Sequence, residues 1–170
     1  LGIIFSGGPN SVYDPDQPAF EPAHLDAGVP ILGLCYGHQL ICQSLGGRVE
    51  PGRVREYGSA SLEVQPNSNL FAGLGDRQTV WMSHGDTVAE LPDGFNVLGS
   101  TADCATAAVG DADRGIYGLQ FHPEVAHTPR GMEILENFLR ICEAKRDWTM
   151  AGYVQTAIED IRSQVGDRNV

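Results

Sequence analysis

The sequence predicts an open α/β sheet flanked by helices, and three observations carry that expectation. Short apolar runs that stop at glycine or turn residues recur at Leu1–Phe5, Val29–Leu34, Thr79–Met82, Val97–Gly99, Ala105–Val109 and Ile116–Phe121. Runs of this length, rich in Val and Ile, read as strands. Helical patterns stand between and after them, which favours a helix-covered sheet over a sandwich. The length of 170 residues and the 42% hydrophobic content suit one domain with a genuine core.

Each element has a local reason. The stretch from His38 to Leu45 follows a strand directly and stops at Gly46-Gly47, a glycine helix stop. Thr128-Pro129 reads as an N-cap with a first-turn proline, followed by Ile134, Leu135, Phe138, Leu139 and Cys142 at helical spacing. A last helix, opened by Thr149, puts Tyr153, Val154, Ala157, Ile158, Ile161 and Val165 on one face. Between these two helices, Glu143–Trp148 is polar except for its tryptophan. The expected division is therefore a body over residues 1–145 and a linker with a helix over 146–170, whose apolar stripe packs on this domain or on a following one. Leu1 is not methionine and opens straight into an apolar run, so upstream chain is expected to be absent.

Eleven basic against twenty-two acidic residues give a net charge of −11, which repels nucleic acid and anionic membranes. No apolar run reaches the ~18–20 residues of a membrane span, and no basic stretch followed by an apolar one begins the chain. Cys35, Cys42, Cys104 and Cys142 form neither a disulfide framework nor a CxxC metal pattern, which favours a reducing, cytoplasmic setting. Lys145 is the single lysine beside ten arginines, a bias that carries no function.

The chemistry centres on Gly33-Leu34-Cys35-Tyr36-Gly37, where a strand meets a helix. A glycine two residues to each side of a nucleophile is the pattern of a strained elbow that projects the side chain clear of the sheet. At a helix N-terminus, Cys35 would feel the positive end of the dipole, which favours thiolate. The bland alternative is a small buried hydrophobe, which is what most free cysteines are. Phe121-His122-Pro123-Glu124 counts against it, since residues two apart in extended chain share a side and Glu124 can orient His122. Nucleophile, base and orienting group form the logic of covalent acyl transfer.

The other histidines compete poorly. His24 reads as solvated on a surface helix, and His38 could as easily point outward from the elbow helix. Ser83-His84-Gly85-Asp86 offers serine, histidine and acid in one loop, but triads are assembled from separate segments. Pro123 breaks the helix that would set His122 and His127 on one metal, so no metal site is expected. Ser6-Gly7-Gly8-Pro9 is a glycine-rich turn after the first strand. Its Gly8 amide can be the second oxyanion donor beside that of Tyr36. Gln39, one helical turn after Cys35, contacts a substrate there or is an ordinary surface glutamine.

SGGP, GLCYGHQ and QFHPE, in this order and spacing, resemble the class I glutamine amidotransferase family across essentially the whole chain. REYG (Arg55–Gly58), VWMSHGD (Val80–Asp86), FHPEVAHTPRG (Phe121–Gly131) and WTM (Trp148–Met150) are similar to the glutamine-hydrolysing domains of GMP synthetases within it. The resemblance implies a flavodoxin-like open mixed sheet whose first strand and helix precede Leu1. It also implies a Cys35–His122–Glu124 triad forming a γ-glutamyl thioester, an oxyanion hole of Gly8 and Tyr36, and glutamine held by Gln39 with Ser83, His84, Gly85 and Asp86. Ammonia would pass to an ATP-pyrophosphatase domain that aminates XMP to GMP in purine biosynthesis. ATP and Mg are expected only on that domain, and no cofactor on this chain. Three other readings are kept: the glutaminase of another amidotransferase, a non-catalytic regulatory module, which should have lost Cys, His or Glu, and a thiol hydrolase of other γ-glutamyl compounds.

Overall fold

The computed structural model describes residues 1–15, 17–66, 68–145 and 149–166. Seven strands form one sheet in the order β1-β2-β7-β6-β5-β3-β4. These are β1 (Ile3–Phe5), β2 (Ile31–Leu34), β3 (Arg48–Val64), β4 (Arg77–Glu90), β5 (Asn96–Ser100), β6 (Ala108–Asp111) and β7 (Ile116–Leu119). β1, β2 and β7 run parallel, and the remaining pairings are antiparallel. The sheet is thus open and mixed, as expected.

Helix α1 (Tyr36–Ser44) follows β2 directly and ends at Leu45, with Gly46 just beyond it at φ 93, a conformation glycine adopts freely. Helix α2 is Gly131–Ile141 and α3 is Met150–Val165. Alternation along β2 feeds two cores: Ile31 packs with Ile41 and Cys42 of α1, while Leu32 and Leu34 pack with Ile134 and Phe138 of α2. Buried Asn137 fastens α2, its Nδ2 donating to the carbonyls of Leu70 and Ala72 at 3.0 Å each.

The structure differs from the sequence reading, or decides what it left open, at four places. The 17-residue β3 has no apolar run, because Arg48, Glu50, Arg55, Ser59, Ser61 and Glu63 are among its exposed positions and Pro51-Gly52 interrupt its pattern. The run Ser83–Asp86 is not a loop but part of β4, in which Gln78, Val80, Met82 and His84 are buried alternately. Thr128 caps no helix: α2 starts three residues later, and the hydroxyl holds the backbone beside His122 instead. His38 points inward and is wholly buried against Gly118 of β7.

Thr149 does cap α3, accepting from the Gly152 amide at 3.1 Å. Tyr153, Val154, Ile158 and Ile161 of its stripe are exposed, and α3 buries no residue among those described. Trp148 and the link at 146–148 lie outside the described residues.

Burial lowers the pKa of His38 to about 3, with the nearby His84 adding to the effect. The unfolded chain protonates this ring near 6.5, so stability is full above that value and falls as pH drops toward 3, by about 1.4 kcal/mol per pH unit. His38→Met, of similar volume, is expected to flatten this acid limb in urea unfolding at pH 4 to 7. A variant with an unchanged acid limb counters the assignment.

Candidate active site

The parallel strands bring the candidate reactive groups together. β2 lies between β1 and β7, so the turns after their C-terminal ends meet: Ser6-Gly7-Gly8 after β1, Cys35 after β2, and Gln120-Phe121-His122 after β7. The Cys35 amide donates to the Leu119 carbonyl at 2.7 Å, tying the elbow to β7.

Cys35 adopts φ 50 and ψ −105, a conformation costing a non-glycine residue about 1–3 kcal/mol and persisting only where the surroundings enforce it. The flanking glycines are part of that enforcement. A Cβ on Gly33 would stand 2.5 Å from the Gly37 carbonyl carbon, and one on Gly37 would strike the Phe5 carbonyl oxygen. Gly7 has a separate reason: its Cβ would be 3.2 Å from His122 Cε1 and 3.6 Å from Cys35 Cβ.

His122 Nδ1 lies 2.7 Å from Glu124 Oε1, leaving the other ring nitrogen for Cys35. The hydrogen bond with Cys35 is the largest influence on the imidazole. Burial opposes it, Glu124 supports it, and together they raise the His122 pKa to about 9. The His122 backbone is pinned at both ends. Its amide donates to the Trp81 carbonyl at 3.0 Å, and Thr128 Oγ1 donates to its carbonyl at 2.6 Å while accepting from the Trp81 amide. A cysteine that only packs needs neither a strained elbow nor a histidine partner.

A cleft of about 390 Å³ opens over Cys35 and brings Gly8, Tyr36, Gln39, Ser83, His84, Gly85 and Asp86 together. Gly8 sits against the Tyr36 ring. Gln39 is buried rather than on the surface, with Nε2 donating to the Asp86 carbonyl and to Gln120 Oε1, both at 3.0 Å. Ser83 offers its carbonyl to the Cys35 thiol at 3.5 Å. Asp86 accepts from Ser11 Oγ at 2.6 Å. His84 differs from expectation: its side chain is only 3% exposed and turned to Glu56, so it borders the cleft without presenting a free ring. A larger hollow of about 620 Å³ beside Val64, Phe71 and Asp76 has neither Cys35 nor a histidine among the described residues that line it.

Sequence reasoning gave no role to Arg55, Tyr57, Ser11 or Asp14, which also line the cleft, nor to Gln120, whose Nε2 donates to Cys35 Sγ at 3.7 Å. The signal existed for two of them: in REYG, positions 55 and 57 share one side of an extended chain while Glu56 takes the other. Among the described residues, Glu56, His84 and Cys104 form one group whose donor atoms come within 4.8 Å of one another. Hydrogen bonds within the protein already engage all three.

The model of the class I glutamine amidotransferase family matches residues 1–142. The chain belongs to this family. Among relatives, the glutamine-hydrolysing GMP synthase of Clostridium kluyveri is 49% identical over 170 residues, covering 99% of this chain and 33% of its own length. That of Listeria innocua is 52% identical with the same coverage. The chain thus spans about a third of the length of these curated relatives. Among solved structures, a candidate GMP synthase component from Thermoplasma acidophilum superposes with a TM-score of 0.73 at 33% identity, over 92% of this chain and 76% of that one. The amidotransferase fold expected from the motifs is therefore the observed one. No helix among the described residues is long and apolar enough to cross a membrane.

Proposed function

We propose that this chain is the glutaminase part of a GMP synthase, with Cys35, His122 and Glu124 as its catalytic triad. The observation that carries the reading is the strained Cys35 elbow held beside a histidine that Glu124 orients. With the proton of the pair already on His122, Cys35 Sγ attacks the side-chain amide carbon of glutamine. The Gly8 and Tyr36 amides receive the oxyanion. His122 returns the proton to the leaving nitrogen, the C–N bond breaks, and ammonia departs from a γ-glutamyl thioester. His122, neutral after that transfer, takes a proton from water, whose oxygen attacks the thioester; the C–S bond breaks, glutamate leaves, and the Cys35 sulfur is released beside a His122 that again holds the proton. Gln39 and the Ser83–Asp86 run shape the glutamine site from the cleft wall, with Asp86 as the charged group for the α-ammonium.

The partner in this reading is an ATP-pyrophosphatase domain that takes the ammonia and aminates XMP. Relatives three times as long support it, as does the exposed stripe of α3. The boundary is proposed at residue 145, with 146–170 leading to that domain. ATP and Mg belong there, because Ser6-Gly7-Gly8-Pro9 lacks the Lys-Ser/Thr end of a phosphate loop and the charge of −11 disfavours polyanions. Four free cysteines fit a cytoplasmic setting.

Labelling tests the nucleophile. Burial pushes the Cys42 thiol up to about 12 and raises those of Cys104 and Cys142, so a glutamine-shaped electrophile is expected to modify Cys35 first. Peptide mass spectrometry that finds the adduct mainly on the other three in folded protein removes the assignment. Uncoupled hydrolysis would leak ammonia, so turnover is expected to be low until a synthetase domain docks. Tight calorimetric binding of ATP or XMP to this chain, or unchanged hydrolysis in a verified complex, contradicts that part.

A further inference from the structure

Behind the cleft wall, a buried hydrogen-bonded path runs from β3 to the nucleophile. Thr101 Oγ1 donates to Glu56 Oε1 at 3.1 Å, and Glu56 Oε2 lies 3.0 Å from His84 Nε2. His84 Nδ1 is 2.8 Å from the Asp86 carbonyl oxygen. That oxygen can only accept, so Nδ1 carries the hydrogen. The same carbonyl accepts from Gln39 Nε2, which also donates to Gln120 Oε1, and Gln120 Nε2 reaches Cys35 Sγ. Glu56 and His84 are directly opposed across the β3–β4 pair, at the first regular position after the irregularity that begins at Pro51.

We propose that Glu56 is a positioning residue for glutamine binding, acting through His84. It touches no substrate in this account, since its side chain is 10% exposed and occupied by His84 and Thr101. Its neighbours Arg55 and Tyr57 do face the cleft. Fixing Glu56 therefore fixes the segment that carries them, and fixing His84 fixes the Asp86 carbonyl and the Gln39 amide it holds. A buried carboxylate is costly unless its oxygens are engaged, and both are engaged here. Strand pairing alone calls for no such group at this position, which an apolar residue could fill. What the carboxylate adds is a set orientation for the His84 ring.

The inference rests on the cleft being the glutamine site, and the test keeps the two apart. The rate of Cys35 modification would be measured with a glutamine-shaped diazoketone, which must occupy the cleft, and with iodoacetamide, which needs only the thiol. Glu56→Ala is expected to slow the first at least about tenfold and leave the second within about twofold. Glu56→Gln is expected to recover most of the rate, because its side-chain amide keeps one polar atom toward His84 Nε2 and the other toward the Thr101 hydroxyl, and can serve either as donor or as acceptor. Thr101→Val, a milder change that keeps volume, should move the diazoketone rate in the same direction, and it decides the matter if Glu56→Ala does not fold. An unchanged diazoketone rate in the folded variants overturns the proposal. Equal loss with both reagents, or no recovery in Glu56→Gln, also overturns it by showing a merely structural group. Wild-type chain that reacts with iodoacetamide but refuses the diazoketone overturns the glutamine reading itself.

Discussion

Replacing Cys35 by alanine is expected to abolish glutamine hydrolysis, by at least about 10⁴-fold, while leaving the fold intact. The loss is large because the thioester cannot form without the sulfur, and no other cysteine lines the cleft. The fold should survive because alanine meets the same φ of 50 with a smaller side chain, and the elbow is held by Gly33, Gly37 and the Cys35 amide rather than by the thiol. Ammonia release would be assayed with a synthetase domain supplied, and unfolding by urea in parallel. Retained turnover in a folded alanine variant places the nucleophile elsewhere.

The second large effect separates base from orienting group. His122→Ala is expected to lower turnover by about 10³–10⁴-fold, within the range general acid–base catalysis supplies. Glu124→Gln is expected to cost less, leaving measurable activity, since an orienting group is partly replaceable. The pH profile gives an independent reading. His122 holds its proton up to about 9, through Cys35 first and Glu124 second. Removing the Glu124 charge should therefore move the alkaline limb of kcat/KM to lower pH, without carrying it all the way to an ordinary histidine value. His84→Gln should hurt less than His122→Ala, as His84 acts behind the cleft wall. Total loss at His84 with an active His122→Ala would mean the base was wrongly chosen.

The site was more legible in the sequence than parts of the fold that carry it. The elbow was readable because two glycines flanking a cysteine answer one steric demand, and the structure has that demand at Gly33 and Gly37. His122 with Glu124 was readable as a histidine and an acid two residues apart, although the expected extended chain is not there: β7 ends at Leu119, and Pro123 and Glu124 lie in a turn that still brings the carboxylate to the ring. What stayed hidden depended on partners distant in sequence. Nothing local separates an outward His38 from one buried against Gly118, eighty residues on. Thr128-Pro129 has the letters of a helix cap, yet its hydroxyl finds Trp81 and His122 before any helix amide. β3 escaped notice because its polar face and Pro51-Gly52 break the pattern by which strands are recognised. Its length could be inferred only from pairing with β4. Glu56 was missed with it, as an acid facing inward looks like any other charge until its partners are known.

The central claim is that the chemistry runs through a covalent bond between Cys35 and glutamine. The direct measurement is acid quenching of the enzyme during turnover, followed by peptide mass spectrometry of the trapped protein. The account predicts one added glutamyl group, on the peptide carrying Cys35, lost on hydroxylamine treatment and absent from Cys35→Ala. Steady ammonia release from glutamine with no glutamyl adduct on Cys35 at any quench time, while the same method detects a synthetic thioester standard, would contradict it.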